Sequence, residues 1–202
     1  MAPEPARKIA VRLTRSLVLV GLMGAGKTSV GKRLAAFLDV NFADSDQEIE
    51  LAAGLEVREI FERYGEAHFR EGEARVIQRL LDGPPRVLAT GGGAFMAPSI
   101  RAAIAEAGVS VWLDADLPTL WARVKDKPTR PLLQQSQPRQ VLAGLLETRR
   151  PTYALADVRV PSAGGVAHET MVRAILEGVR AYDLAHPDRP AALKKVVTCA
   201  KP

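Results

Sequence analysis

Eight residues, Gly21-Leu22-Met23-Gly24-Ala25-Gly26-Lys27-Thr28, set a glycine, four further residues and then Gly-Lys-Thr in a row. That pattern grips phosphate: backbone N–H groups of a glycine-rich turn converge on phosphate oxygens. The helix that follows adds the positive end of its dipole. Lys27 reaches the β/γ-phosphates of a nucleotide, and the Thr28 hydroxyl suits Mg²⁺. The motif needs a strand before it and a helix after it. Leu17–Val20 is an apolar run, and Val30, Leu34, Phe37 and Leu38 recur at helical spacing.

Four more groups of residues carry chemistry. Asp44-Ser45-Asp46 puts two carboxylates two positions apart at the end of a short apolar run. One can lie beside Mg²⁺ while the other accepts a proton from a hydroxyl. Helix capping by Ser45 or Asp46 is the plainer alternative, and both can hold. Phe69-Arg70 with Glu73 three residues on can fix a guanidinium as a fork for a carboxylate. Taken alone, an exposed helical ion pair explains it as well. Gly91-Gly92-Gly93 follows the run Val87–Ala89. Three glycines there pack little, which points to a ligand pressed on bare backbone. Arg130 and Arg149 belong to a basic segment broken by Pro128, Pro131 and Pro138. Arginines of that kind can close over a nucleotide and offset phosphoryl charge, or simply form a solvated face. His68, His168 and His186 show no metal-ligand spacing, and the lone Cys199 offers no disulfide partner.

The elements that position these groups alternate. β-rich runs at Leu17–Val20, Val40–Phe42, Val87–Ala89, Val109–Leu113 and Asp157–Val160 are separated by amphipathic stretches. That order predicts an α/β fold, a mostly parallel sheet covered on both faces. Ligands then bind beyond the carboxyl ends of the strands, where the motifs fall. The pattern divides the chain into a flexible lead (1–15), one domain (16–182) with a lid around 123–138, and a tail (183–202). A short helix at Ala191–Val197 is one option for the tail.

With 202 residues, 47% hydrophobic and 25% charged, the chain suits one soluble domain. No run reaches membrane-spanning length and no signal peptide opens the chain, so a cytoplasmic protein is expected. The net charge of +5 resides in the two ends, leaving residues 16–182 neutral. That argues against a nucleic-acid partner. Within the domain, residues 39–59 are acidic and 123–150 basic.

Together and in order, the phosphate loop, Asp44-Ser45-Asp46, Phe69-Arg70 with Glu73, Gly91-Gly92-Gly93, Arg130-Pro131-Leu132-Leu133, and Arg149 with Pro151 and Tyr153 resemble the shikimate kinase family. The resemblance runs from about Leu17 to Val160. It implies a three-layer P-loop NTPase fold with a five-stranded parallel sheet, and ATP-dependent phosphorylation of the 3-hydroxyl of shikimate. It implies that Gly24, Ala25, Gly26, Lys27, Thr28 and Ser29 hold ATP, with Arg123 stacking on adenine and Arg130 as the lid arginine. Asp46 becomes the base and a shikimate ligand, and Arg70 and Arg149 the carboxylate clamp. Gly91, Gly92, Gly93 and Glu73 line the substrate site, walled by Phe61 and Phe69. Mg²⁺ falls to Thr28 and, through water, Asp44. Small-molecule partners follow; with no heptad or apolar patch evident in the sequence, a monomer is the expected state. Another small-molecule kinase of this fold, or a nucleotide-binding regulator, is the competing expectation. The spacing from Tyr153 to Asp157 is one residue shorter than the family pattern, and no residue is carried over from the loop that follows, Ser162–Gly165.

Overall fold

The computed structural model describes residues 7–126 and 137–199. The elements run β1 (Arg7–Leu13), β2 (Ser16–Val20), α1 (Lys27–Leu38), β3 (Phe42–Asp44), α2 (Ser45–Ala53), α3 (Val57–Leu81) and β4 (Val87–Ala89). A 3₁₀ turn at Ala94–Met96 precedes α4 (Pro98–Ala107), β5 (Gly108–Asp114), α5 (Leu117–Val124), α6 (Pro138–Tyr153), β6 (Val158–Pro161), α7 (His168–Ala185) and β7 (Leu193–Cys199).

Five strands form one sheet in the order β3-β4-β2-β5-β6, every pair parallel. The central strands β2, β4 and β5 are buried at every position, as strands covered on both faces must be. The five expected strands are all present. The second lies further on than expected: Phe42–Asp44 pairs with β4, while Asp39 takes a left-handed turn out of α1. Asp44 is therefore the last strand residue, at the edge where ligands gather. Because β2 is central and its neighbours diverge in sequence, the loop after it sits at the switch in strand order.

α1 packs through Val30, Gly31, Leu34, Ala35 and Leu38. Phe37, expected on that stripe, is 62% exposed. Gly31 takes the tight place, since a Cβ there would stand 2.6 Å from the Phe42 ring. α3 is two helical pieces joined at Gly65, whose φ of 79° breaks the helix. Phe69, Arg70 and Glu73 all lie on the second piece, under α2.

Near the chain ends two strands form a ribbon outside the main sheet. Arg7–Leu13 pairs antiparallel with Leu193–Cys199, so the Ala191–Val197 segment runs into a strand instead of a helix. Charge run and strand are compatible because a ribbon outside the main sheet can keep its polar side chains in water. Among the described residues, no helix is long and apolar enough to cross a membrane.

Candidate active site

The phosphate loop spans the end of β2 and the start of α1. Gly24 and Gly26 have φ of 83° and 98°, and a Cβ on Gly24 would strike Val124 at 2.8 Å. Only glycine serves there. Ala25 is buried; its N–H closes the turn onto Leu22 O at 3.1 Å. Lys27 Nζ folds back on the carbonyls of Gly21 (2.7 Å) and Leu22 (3.1 Å). Ser29 continues α1, and its carbonyl accepts from Arg33.

Arg123 of α5 clamps this loop from behind. It donates to the carbonyls of Gly24 (3.1 Å), Ala25 (3.3 Å) and Ala163 (3.0 Å), and to Ser162 Oγ at 3.2 Å. Buried Ser162 itself donates to Ala25 O at 3.0 Å. The loop around Ser162 thus braces the phosphate loop, a part the sequence did not assign. Arg130 lies outside the described residues.

At the end of β3, Asp44 is the N-cap of α2, accepting from Asp46 N–H at 3.2 Å. The cap expected at Ser45 or Asp46 is one residue earlier, because the strand itself ends on Asp44. Asp44 Oδ2 also accepts from Thr28 Oγ1 at 2.8 Å. A hydroxyl and a carboxylate beside a phosphate loop are hard oxygen donors, the kind Mg²⁺ takes together with phosphates and water. With the capping duty on Asp44, Asp46 sits in the first turn and Ser45 turns inward. Fully buried Ser45 accepts from Gly91 N–H at 2.9 Å, tying α2 to the glycine run.

That run explains itself glycine by glycine. A Cβ on Gly91 would stand 2.5 Å from Asp46 Oδ1 and 2.9 Å from Glu73 Oε1. On Gly93 it would meet the Arg70 guanidinium at 2.7–3.0 Å. On Gly92 nothing lies nearer than 3.6 Å, with Arg149 Nη1 at 3.7 Å. The missing side chains at 91 and 93 make room for two carboxylates and a guanidinium, while a Cβ at Gly92 would make only ordinary contacts, with Met23 N, Arg149 Nη1 and Gly21 O.

Glu73 fixes the fork. It is 1% exposed and accepts from Arg70 Nη1 at 2.7 Å. Arg70 also holds Glu66 on the exposed side. Burial pushes the Glu73 carboxyl above the usual carboxylate range; Arg70 pulls it back, and the nearby Asp46 charge adds to the rise. Its Oε1 is buried with no hydrogen-bond partner among the described residues. Phe61 and Phe69 stack at 4.4 Å between ring centroids, and both face the Arg70 guanidinium at 5.9 and 5.2 Å. Phe69 is buried with Ile49 and Ile60 and lines a cavity of about 300 Å³ between α2 and α3, together with His68. It supports the fork from below; Phe61 is the more exposed of the pair.

Arg149 comes from the end of α6. Its neighbour Arg150 reaches Asp114 at the tip of β5 at 3.1 Å, and Arg159 of β6 reaches the same carboxylate at 2.6 Å. This end of the helix is pinned to the sheet beside the phosphate loop. The phosphate loop, the Thr28–Asp44 pair, Asp46, the Arg70–Glu73 pair, Arg149 and the bare backbone of Gly91–Gly93 come together at the carboxyl edge of the sheet.

A family model described as Shikimate kinase matches residues 23–180. The shikimate kinase of Paramagnetospirillum magneticum is 52% identical, aligned over 90% of this chain and 94% of the relative. That of Cereibacter sphaeroides is 55% identical over 84% of this chain and 85% of the relative. Among solved structures, the shikimate kinase from Acinetobacter baumannii in complex with shikimate superposes with a TM-score of 0.79 at 37% identity. That match covers 84% of this chain and 95% of the other.

Proposed function

The chain belongs to the shikimate kinase family, and from that membership we propose how its residues divide the reaction. It is an enzyme with shikimate kinase activity, working in the shikimate pathway and aromatic amino-acid biosynthesis. The γ-phosphoryl group of ATP passes to the 3-hydroxyl of shikimate, giving shikimate 3-phosphate and ADP.

Shikimate is a small ring with one carboxylate and three hydroxyls. The carboxylate lies between the forks of Arg70 and Arg149. Its hydroxyls meet Asp46, the bare backbone at Gly92, and the orphaned Oε1 of Glu73, which gains the partner its burial calls for. Phe61 and Phe69 support one side. Asp46 takes the proton of the attacking hydroxyl as the O–P bond forms, the bond to the β-phosphate oxygen breaks, and ADP leaves. Lys27 swings from its own loop's carbonyls onto the β/γ-phosphates. The loop N–H groups from Gly24 to Ser29 hold the remaining oxygens, with Arg123 beside adenine and Arg130 closing from the lid. Thr28, and Asp44 through water, would hold Mg²⁺, which would supply charge neutralisation at the phosphates. Closure excludes water as a competing acceptor.

The single observation that carries this reading is the arrangement around the glycine run. Asp46 and the ion pair of buried Glu73 with Arg70 occupy the places of two absent Cβ atoms, and the glycine between them, Gly92, lies within van der Waals reach of Arg149 and the phosphate loop. That is a pocket for a polyol carboxylate. ADP release with ATP, Mg²⁺ and shikimate, beside gluconate and AMP as controls, tests it. Release with shikimate alone upholds the assignment; turnover of a control instead moves the pocket to another acceptor. The chain is taken to act as a monomer in the cytoplasm, which sedimentation and fractionation would check.

A further inference from the structure

Tyr153 has no part in the steps above, yet it sits at their junction. It ends α6, is 1% exposed, and stacks on Trp112 with ring centroids 6.1 Å apart. A phenylalanine would fill that space without burying a hydroxyl. Here the hydroxyl donates to the carbonyl of Gly92. Burial pushes its pKa up to about 12, so it remains a neutral donor. Because the peptide unit is planar, fixing the Gly92 carbonyl fixes the Gly92–Gly93 amide behind it. That amide joins Gly92, which lies beside Arg149, to Gly93, which is packed on Arg70.

Arg149 stands one helical turn before Tyr153, on the same face. Its guanidinium is near enough to act on the Tyr153 hydroxyl and lies beside Gly92. The tyrosine therefore touches both elements on which the substrate's two ends are held: the glycine floor and the second arginine of the clamp.

We propose that Tyr153 is a positioning residue for the acceptor, its hydroxyl locking the Gly92–Gly93 peptide to the Arg149 turn of α6. The proposal rests on the pocket being that of shikimate. It concerns acceptor binding only, since the phosphate loop is braced separately by Arg123 and Ser162.

Tyr153→Phe keeps the ring and the stack and removes the donor. The KM for shikimate is expected to rise about fivefold, the worth of one neutral hydrogen bond, while the KM for ATP stays within about twofold. Site-specific 4-aminophenylalanine, which restores a donor on the same ring, should recover most of the loss. A purely structural role would shift both KM values together with the melting temperature, and that result, or no change in either, overturns the proposal. Should the phenylalanine protein not fold, the native chain carries the test through amide exchange. Shikimate alone is expected to slow residues 91–96 and 149–154 together, and slowing of one segment without the other overturns the link. If the native chain does not turn over shikimate at all, it is the assignment of the pocket that fails, and the proposal falls with it.

Discussion

Thr28 Oγ1 donates to Asp44 Oδ2 at 2.8 Å, joining the first turn of α1 to the last residue of β3. The same carboxylate caps α2 through Oδ1. One side chain thus holds three elements together at the place where Mg²⁺ is proposed to sit. Asp44→Ala should lower apparent Mg²⁺ affinity severalfold and cost about 1 kcal/mol of stability through the lost cap. Mg²⁺ titration of the rate beside thermal melting separates the two effects. An unchanged Mg²⁺ dependence with a lowered melting temperature would leave Asp44 as a cap and nothing more.

Asp46→Asn keeps the shape and removes the proton acceptor. Turnover should fall by at least about 100-fold, the usual share of a general base, with ATP affinity unchanged. Single-turnover rates and ATP titration check this. Turnover near that of the native chain would show that Asp46 only orients the hydroxyl.

The glycine run permits a sharper contrast. Gly91→Ala forces its methyl onto Asp46 and Glu73, so kcat should drop. Gly93→Ala displaces only the far end of Arg70, so the KM for shikimate should rise with less effect on kcat. Gly92→Ala meets nothing nearer than 3.6 Å and should be the best folded of the three, yet its methyl adds bulk beside Arg149 where the substrate is proposed to lie. Kinetics and melting curves of all three variants test the division. Identical behaviour at 91 and 93 would refute it.

Much of this was legible in the sequence, for physical reasons. Gly24, Gly26, Lys27 and Thr28 are fixed by the geometry of phosphate, which leaves few alternatives. The parallel sheet followed from short buried runs, since strands covered on both faces need no alternation. What stayed hidden depends on partners far apart in the chain. Ser45 reads as a cap until Gly91 is placed beside it. Asp44 was not expected to cap because the strand end was placed two residues early. The charge at the chain ends says nothing of backbone pairing, so β1 and β7 escaped notice. Ser162 looks like loop filler until Ala25 O lies 3.0 Å away.

Glu73 should make the stability of the protein depend on pH in a particular direction. Burial raises its carboxyl above the ordinary range despite Arg70, and Asp46 adds to the rise while Arg149 opposes it. A carboxyl whose folded pKa exceeds its unfolded one favours the fold only while protonated. The cost of ionising it is absent at pH below the ordinary glutamate range. It develops as pH rises from there through the shifted value, and is constant above. The melting temperature of the native chain relative to Glu73→Gln should therefore fall over that interval and level off. A flat difference across acid pH would mean Arg70 fully compensates burial. At neutral pH the glutamine variant should weaken shikimate binding, because Arg70 loses its anchor.

The chain ends supply the last prediction. Asp183 accepts from the N–H groups of Ala192 (2.9 Å) and Leu193 (3.0 Å), turning the chain back after α7. Ala192 is fully buried, and its carbonyl accepts from Thr14 N–H at 2.9 Å, just before β2. Truncation after Tyr182 removes these bonds and the partner of β1, and leaves Leu13 uncovered. The site residues belong to other elements, so the expected loss is in stability, not in chemistry. Asp183→Asn weakens two charge-assisted bonds, worth about 1–3 kcal/mol. At this chain length that lowers the melting temperature by about 2–4 °C per kcal/mol. The truncated chain should fall further, with both KM values near those of the full chain wherever it is still folded. A truncated protein that melts with the full chain would return the ends to the solvated lead and tail that their charge suggests.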